Sequence, residues 1–405
     1  MSKHQSIFNL TVLITGLGFA VDMYDGFSFN MIRHSSLIEL GLSGEALTAA
    51  GITILNGQVI ATLIGGIFWG MLGDKYGRKE CLVGSILMYS LGMLATAYVS
   101  DVNEYILARI ITGFGIAGEV GLGVVLVAEK VAPEKRGYAI GLFTGFGLAG
   151  IILAGVASEI FYWRHFCLIG CGAGLVLLTL RVFLLESDIY KKTAESITQR
   201  GNYLTLFAHP GRMARYISGV LLLVPNFFVT GILLTLGQEF SQAAGVMEPV
   251  KTSYVMITYF TCALAGDFLS SWMTQRLKSR RDTLLFFIAG NLVVVFLILN
   301  LGYTTALTFY ALCGLAGFFN CWAIVNLTIS EQVGTDLRGT AVTSSINFSR
   351  AMVAVMSLSM LSLKPELGLS LSGVTVITTV SILAFAAVFF LSETYGRDVD
   401  FQEAI

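Results

Sequence analysis

The sequence predicts an all-α membrane protein of twelve transmembrane helices, arranged as two related six-helix bundles. An apolar composition, a series of bilayer-length apolar runs and a charge pattern that recurs at one fixed offset predict it. Of 405 residues, 55% are hydrophobic and 13% charged, against roughly 25% charged in an average soluble domain. The mean hydropathy is +0.77, too apolar for a surface solvated by water throughout. Five prolines and 44 glycines suit a helical membrane protein, in which glycine lets helices approach closely.

A span needs roughly 20 apolar residues, because the hydrocarbon core is about 30 Å thick and a helix rises about 1.5 Å per residue. The chain offers spans at 8–32, 47–71, 81–99, 103–128, 138–157 and 166–185, then at 214–236, 252–275, 283–302, 304–328, 339–362 and 370–391. The domains follow: a first bundle over 1–185, a linker over 186–213, a second bundle over 214–391 and a tail over 392–405. The first apolar run ends on Asp22 and Asp25 and not on a small-residue cleavage site, so it reads as a span and not as a removable signal. Short alternating segments of the barrel type are missing.

The positive-inside rule sets orientation. With the N-terminus in the cytoplasm, eighteen of the 25 basic residues face the cytoplasm. Only Arg33, Arg164, Lys251 and Lys364 face outward, and Arg109, Arg181 and Arg350 lie within or at the edge of spans. Both termini are expected inside, in a bacterial inner membrane. The lipid bilayer is thus one partner. The net charge of −1 speaks against nucleic acid, which needs a basic face.

The halves repeat at an offset of 202 residues. Gly70-Met-Leu-Gly-Asp74-Lys-Tyr-Gly77-Arg78-Lys79 aligns with Trp272-Met-Thr-Gln-Arg276-Leu-Lys-Ser279-Arg280-Arg281. Glu129 and Arg136 align with Glu331 and Arg338 at the same offset. Glu186-Ser187 and Glu393-Thr394 close the sixth and twelfth spans, displaced by five residues more. A duplicated six-helix unit with polar residues near the midplane is how secondary transporters are built.

Gly70 to Lys79 resembles the loop signature of the major facilitator superfamily, G-x-x-x-D-x-x-G-R-K. The stretch from Arg109 through Gly118-Glu119 to Glu129, Pro133, Arg136 and Gly137 is similar to that superfamily's metabolite:proton symporter branch, with Ala117 where the first glycine of a G-G-E pattern stands. Intraphagosomal amino-acid transporters and some siderophore exporters share much of this pattern. The resemblance implies alternating access around a cavity between the halves. It also implies that Gly70, Asp74, Gly77, Arg78, Glu129, Arg136, Arg280, Glu331 and Arg338 gate the cytoplasmic side and lock the outward-facing state. Asp74 at a helix end can meet a cation or the dipole of a facing helix. Its counterpart is Arg276, so the lock is expected to be asymmetric.

Ionisable groups inside a membrane cost several kcal/mol unless they face a cavity or a partner. Asp22 and Asp25 share one helical face, and two carboxylates in a dry cavity cannot both ionise easily. They are the first candidates for proton coupling, and Glu119 is the next. The bland readings are a pairing of one aspartate with Arg109 and a helix–helix hydrogen bond for Glu119. On one straight helix Glu119 would stand about 15 Å beyond Arg109. Arg350, with no charge at the repeated position (Leu148), suggests a carboxylate-bearing substrate, since guanidinium grips carboxylate bidentately. A structural pair with Asp267 is the alternative. Arg109, Tyr24, Asn56, Gln58, Asn226, Asn320, Trp322 and Asn347 complete the candidate substrate contacts, with Asn326 and Phe227 as further lining.

Gly113-Phe-Gly115-Ile-Ala-Gly118 matches G-x-G-x-x-G formally, but no strand precedes it, and its glycines read as helix packing. Six cysteines sit in apolar runs without C-x-x-C spacing, and the four histidines lack ligand spacing, so neither metal nor cofactor is expected. No nucleophile–base set or Walker motif points to an enzyme. The expected function is proton symport of a small polar metabolite (organic acid, amino acid or betaine) by a monomer. The alternatives are a proton-antiport exporter of a siderophore or other small molecule, and a non-transporting receptor.

Overall fold

The computed structural model describes residues 9–181, 201–302 and 305–402. Bilayer-length apolar runs become helices because a helix satisfies every backbone group internally, which lipid cannot do. The first half gives spans 1 to 6 as Leu10–Glu39, Gly44–Tyr76, Arg78–Ala97, Val102–Lys130, Pro133–Ile160 and Trp163–Arg181. The second gives spans 7 to 10 as Pro210–Leu233, Thr252–Leu277, Arg280–Asn300 and Ala306–Gln332. Spans 11 and 12 form one 53-residue element, Arg338–Phe390, broken at Gly368 (φ 75°). Arg338, its first residue, and Glu393, just past its last, both sit at the end of the molecule that holds the loop motifs, so the chain doubles back between them. The end of span 6 expected at 182–185, the Glu186-Ser187 repeat and the first part of the linker lie outside the described residues.

Packing repeats with the sequence. Span 1 packs on 5 and span 7 on 11; span 2 packs on 4 and span 8 on 10; span 3 packs on 6 and span 9 on 12. The halves meet through spans 2 and 11 and through spans 5 and 8. One row of small residues makes each contact. On span 5, Gly137, Gly141 and Gly145 face Gln275, Ser271 and Phe268 of span 8. On span 11 the residues 202 positions later, Gly339, Thr343 and Asn347, face Asp74, Gly121 and Gly66 of the first half. Small residues at every fourth position let backbones approach where no hydrophobic force drives helices together.

Spans 4 and 10 are not straight. Span 4 breaks between Ile116 and Glu119, and span 10 between Phe318 and Trp322, the two breaks beginning 202 residues apart. The straight-helix expectation for Arg109 and Glu119 therefore fails. Glu119 begins a new helix, Glu119–Lys130. The backbone groups freed at the breaks find partners: Trp69 Nε1 donates to Phe114 O at 2.8 Å, and Asn347 Nδ2 from span 11 donates to Ala117 O at 3.2 Å. At the second break Asp267 Oδ1 accepts from the Ala323 N–H at 3.2 Å and from Asn320 Nδ2 at 3.1 Å. Asp267 thus caps a half-helix.

The glycines of the formal G-x-G-x-x-G run are packing surfaces. Gly113 lies on Gln58 and Thr62, Gly115 on the Tyr89 backbone and Gly118 on Trp69. All six cysteines are free thiols, five of them buried.

Gly150 of span 5 presses against the Ala20 carbonyl of span 1, and a Cβ there would overlap backbone. Gly150→Val is expected to destabilise the first bundle by about 1–3 kcal/mol, the ordinary cost of overpacking. Thermal melting of the detergent-solubilised protein, followed by size exclusion, checks this. Parental stability would contradict the packing described.

Candidate functional site: a charged interior between two halves

The repeated motifs build the end of the molecule where the four arginines Arg78, Arg136, Arg280 and Arg338 meet. Gly70 lets span 2 touch span 11, since a Cβ there would stand 2.8 Å from the Thr340 Cα. Gly77 turns the chain at φ 118° between spans 2 and 3. Asp74 then reaches the first turn of span 11, accepting from the Gly339 N–H (2.9 Å), the Thr340 N–H (2.7 Å) and the Thr340 hydroxyl (2.8 Å). A carboxylate there meets unpaired N–H groups and the positive end of the helix dipole.

Glu129 and Glu331 each gather two arginines, one from each half. Glu129 accepts from Arg78 at 3.2 Å and from Arg338 of the other half at 2.7 Å. Glu331 takes Arg280 through two bonds, at 3.1 and 3.2 Å, and faces Arg136 of the other half at 3.8 Å. All six side chains are buried.

The comparison at fixed offset set Asp74 against Arg276, and the structure corrects it. Arg276 is exposed, and the equivalent contact comes from Gln275 one residue earlier. With its amide turned to suit its neighbours, Gln275 accepts from the Gly137 N–H at 2.9 Å and donates to Glu134 O at 2.8 Å. The asymmetry is carboxylate against amide, not acid against base.

The tail adds contacts that the motif comparison missed. Arg136 donates to Arg397 O at 2.8 Å, Arg338 donates to Val399 O, and the Thr335 N–H donates to Phe401 O at 2.9 Å. Glu393 accepts from the Ser279 hydroxyl and the Arg280 and Arg281 N–H groups at the start of span 9. Burial pushes its carboxyl up, but these donors and the Tyr395 N–H together hold it below the usual glutamate range. The aromatic residues Tyr395 and Phe401, over which Arg280 and Arg397 lie at 5.2 and 4.5 Å, are the sequence signal that could have been read.

Deeper in the first half, Arg109 is fully buried and all its donors are engaged. They go to Gln58 Oε1 (3.1 and 3.2 Å), Ser28 Oγ (3.1 Å), Met93 Sδ (3.4 Å) and Asp25 O (3.2 Å). It binds the Asp25 main chain, not the Asp25 carboxylate. In this arrangement Arg109 and Gln58 tie spans 1, 2 and 4 together and offer a substrate nothing. Tyr24 likewise turns inward, stacked on Phe166 at 4.7 Å and donating to Phe166 O at 3.1 Å. Asn56 is exposed and away from these contacts. Glu119 is held by Arg181 of span 6 in a buried ion pair. That partner was visible only as an arginine at a span edge.

Among the described residues, two buried acids have neither carboxylate oxygen hydrogen-bonded. The carboxylates of Asp22 and Asp25 are 1% and 0% exposed and have no hydrogen-bond partner among the described residues. Asp22 lies in the field of Arg350, Glu119, Arg181 and Asp25. Arg350 makes no ion pair with Asp267 among the described residues, contrary to the structural pair considered from sequence, and the acid whose charge acts on it is Asp22. Beside Arg350, at 6.0 Å, is the Phe227 ring, which meets Trp322 edge-on at 5.4 Å. Asn226 donates to Asn320 at 2.8 Å, closing that side. Asn347 spends its amide nitrogen on Ala117 O and Thr343 O.

This geometry joins two bundles around unpaired charge, and the family model described as Major Facilitator Superfamily matches residues 12–357. The chain belongs to the major facilitator superfamily. Among its relatives is the protein named for niacin/nicotinamide transport, NiaP, of Bacillus subtilis (strain 168), 25% identical over 359 residues, 86% of this chain and 87% of the relative. Another is named as a 4-methylmuconolactone transporter of Cupriavidus pinatubonensis (strain JMP 134 / LMG 1197), 25% identical over 398 residues, 95% and 90% of the two chains. The solved structure of the proton:xylose symporter XylE matches with a TM-score of 0.80 at 17% identity, over 97% and 98% of the two chains, which shows the shared fold. This superfamily member is a multi-pass membrane transporter of small molecules and not an enzyme.

Removing the carboxylate shared by Arg78 and Arg338 leaves Arg78 with Asp74 at 3.4 Å but takes from Arg338 its carboxylate from the other half, and breaking a buried pair costs about 3–5 kcal/mol. Glu129→Gln is therefore expected to part the halves at the motif end. Spin labels at the exposed Tyr76 and Leu277 should report a longer distance by double electron–electron resonance. Glu331→Gln, whose cross-half contact is longer, should widen it less. Equal or no change in both would contradict the assigned network.

Proposed function

We propose that this transporter is a proton-coupled symporter that imports a small polar metabolite bearing a carboxylate, an organic acid or a related compound. The observation that carries the reading is a buried Asp22 in the first half, in the field of Arg350 from the second, each without a hydrogen bond among the described residues. A buried acid without donors favours its neutral form, which is what a proton-coupling group needs. A guanidinium with free donors suits a carboxylate. The relatives named for niacin/nicotinamide and for 4-methylmuconolactone support a small ring compound or similar metabolite.

The basic excess supports a cytoplasmic motif end, with both termini on the cytoplasmic side of an inner membrane. The buried network then closes the cytoplasmic side, and its rupture opens it. In the proposed cycle, protons reach the span 1 aspartates from outside and substrate enters beside Arg350. The halves rock across the small-residue rows, and both species leave inward. Since Glu119 is engaged by Arg181, coupling rests on span 1 first. The first and second bundles, about 1–185 and 214–391, are the rocking units, and one chain carries a whole pathway.

Proteoliposomes with a trapped pH dye test this. Addition of a metabolite pool that contains the substrate is expected to acidify the lumen, and dividing the active pool identifies the compound. Alkalinisation as preloaded substrate leaves under an outside-acid gradient would replace symport by export.

A further inference from the structure

The symport reading, on which this inference rests, gives the substrate a carboxylate and leaves its other groups open. A hydrogen-bond chain in the second half bears on them. It starts at Asp267 of span 8, whose side chain is fully buried. Asp267 Oδ1 accepts from the Ala323 N–H at 3.2 Å and from Asn320 Nδ2 at 3.1 Å. Asn320, buried at the break of span 10, accepts at its own Oδ1 from Asn226 Nδ2 of span 7 at 2.8 Å.

Each link has one direction only. A carboxyl oxygen that meets two N–H groups accepts from both, whether or not the other oxygen holds a proton. Asn320 must therefore turn its amide nitrogen to Asp267 and its amide oxygen to Asn226. Asn226 must spend an N–H on Asn320, which leaves its own oxygen over. That oxygen makes no hydrogen bond among the described residues. Asn226 is half-buried, and its oxygen, unlike those of Asn326 and Asn347, is not sealed from solvent.

The amide pair sits beside the aromatic pair. Phe227 follows Asn226, Trp322 stands two residues after Asn320, and the two rings meet at 5.4 Å. Arg350 lies over the same Phe227 ring at 6.0 Å. A cation, an apolar wall and one oriented acceptor thus come together where spans 7, 10 and 11 meet.

We propose that Asp267 is a positioning residue that fixes Asn226 as an acceptor, so that the site selects a carboxylate whose apolar body carries a hydroxyl or N–H donor. The carboxylate goes to Arg350, the body to Phe227 and Trp322, and the donor to Asn226 Oδ1. Without an acceptor at position 267 the Asn320 amide is free to turn over. Asn226 then turns with it, and the site no longer tells donor from acceptor. Asp267 acts by holding the direction of the chain and not by carrying a proton. In Asp267→Asn an amide oxygen remains for Ala323 and Asn320, and the amide nitrogen replaces Oδ2, which has no hydrogen bond among the described residues.

The test uses the whole chain, by calorimetric binding to the purified protein and by uptake into proteoliposomes. The probes are 3-hydroxybenzoate, 4-hydroxybenzoate and lactate, each beside its O-methyl ether, which keeps the carboxylate and loses the donor. At least one donor-bearing acid is expected to bind about tenfold or more tightly than its ether, the cost of leaving a buried acceptor unmade. Asp267→Leu and Asn226→Leu should bring that ratio near unity, while Asp267→Asn should keep it and keep pH-driven uptake. Should Asp267→Leu not fold, Asn320→Leu cuts the same chain one link later and should flatten the ratio equally. A ratio near unity in the unaltered protein, no binding of any donor-bearing acid, or a ratio kept when the chain is cut would each overturn the proposal. So would loss of pH-driven uptake in Asp267→Asn, which would make Asp267 a coupling acid. Uptake driven by pH but blind to methylation would remove this inference and leave the symport reading standing. A donor preference with uptake indifferent to pH would do the reverse.

Discussion

The rest of the structure depends on the low dielectric of the membrane, in which every buried charge must find an opposite charge or lose its own. At the motif end that demand is met within the protein: Glu129 and Glu331 each collect an arginine from their own half and one from the other. The same residues that neutralise the ends therefore hold the halves together. Burial makes such pairs costly to split.

Midway through the molecule the demand is met only in part. Broken helices in spans 4 and 10 release backbone groups, and Trp69, Asn347 and Asp267 are spent on satisfying them. Asn347 does so across the interface, so the row of small residues on span 11 both packs and bonds to the first half. Among the described residues, the carboxylates of Asp22 and Asp25 remain without hydrogen bonds, and Arg350 lies in the field of Asp22. In the proposed symport cycle, these incomplete interactions are what substrate and proton complete.

Much of this was legible in the sequence because duplication writes structure twice. The 202-residue offset found in Arg78/Arg280, Glu129/Glu331 and Arg136/Arg338 holds for the helix breaks and for the rows Gly137-Gly141-Gly145 and Gly339-Thr343-Asn347. The breaks were invisible because no proline marks them. Tyr24 and Arg109 looked like cavity residues by position, but rotation about a helix axis decides whether a polar tip meets a cavity or a neighbouring span. An offset comparison also cannot see that Gln275 takes the role of Asp74 from one residue earlier. The Arg181–Glu119 pair joins distant spans, and no local pattern announces it.

The central claim is that a proton moves onto Asp22 when a carboxylate takes Arg350. Substrate-induced difference infrared spectroscopy of the purified protein reads that event directly. The account predicts a protonated carboxyl band that appears when a transported monocarboxylate is added and is missing in Asp22→Asn. A band that persists in that variant, or binding with no change in carboxyl protonation, would contradict it.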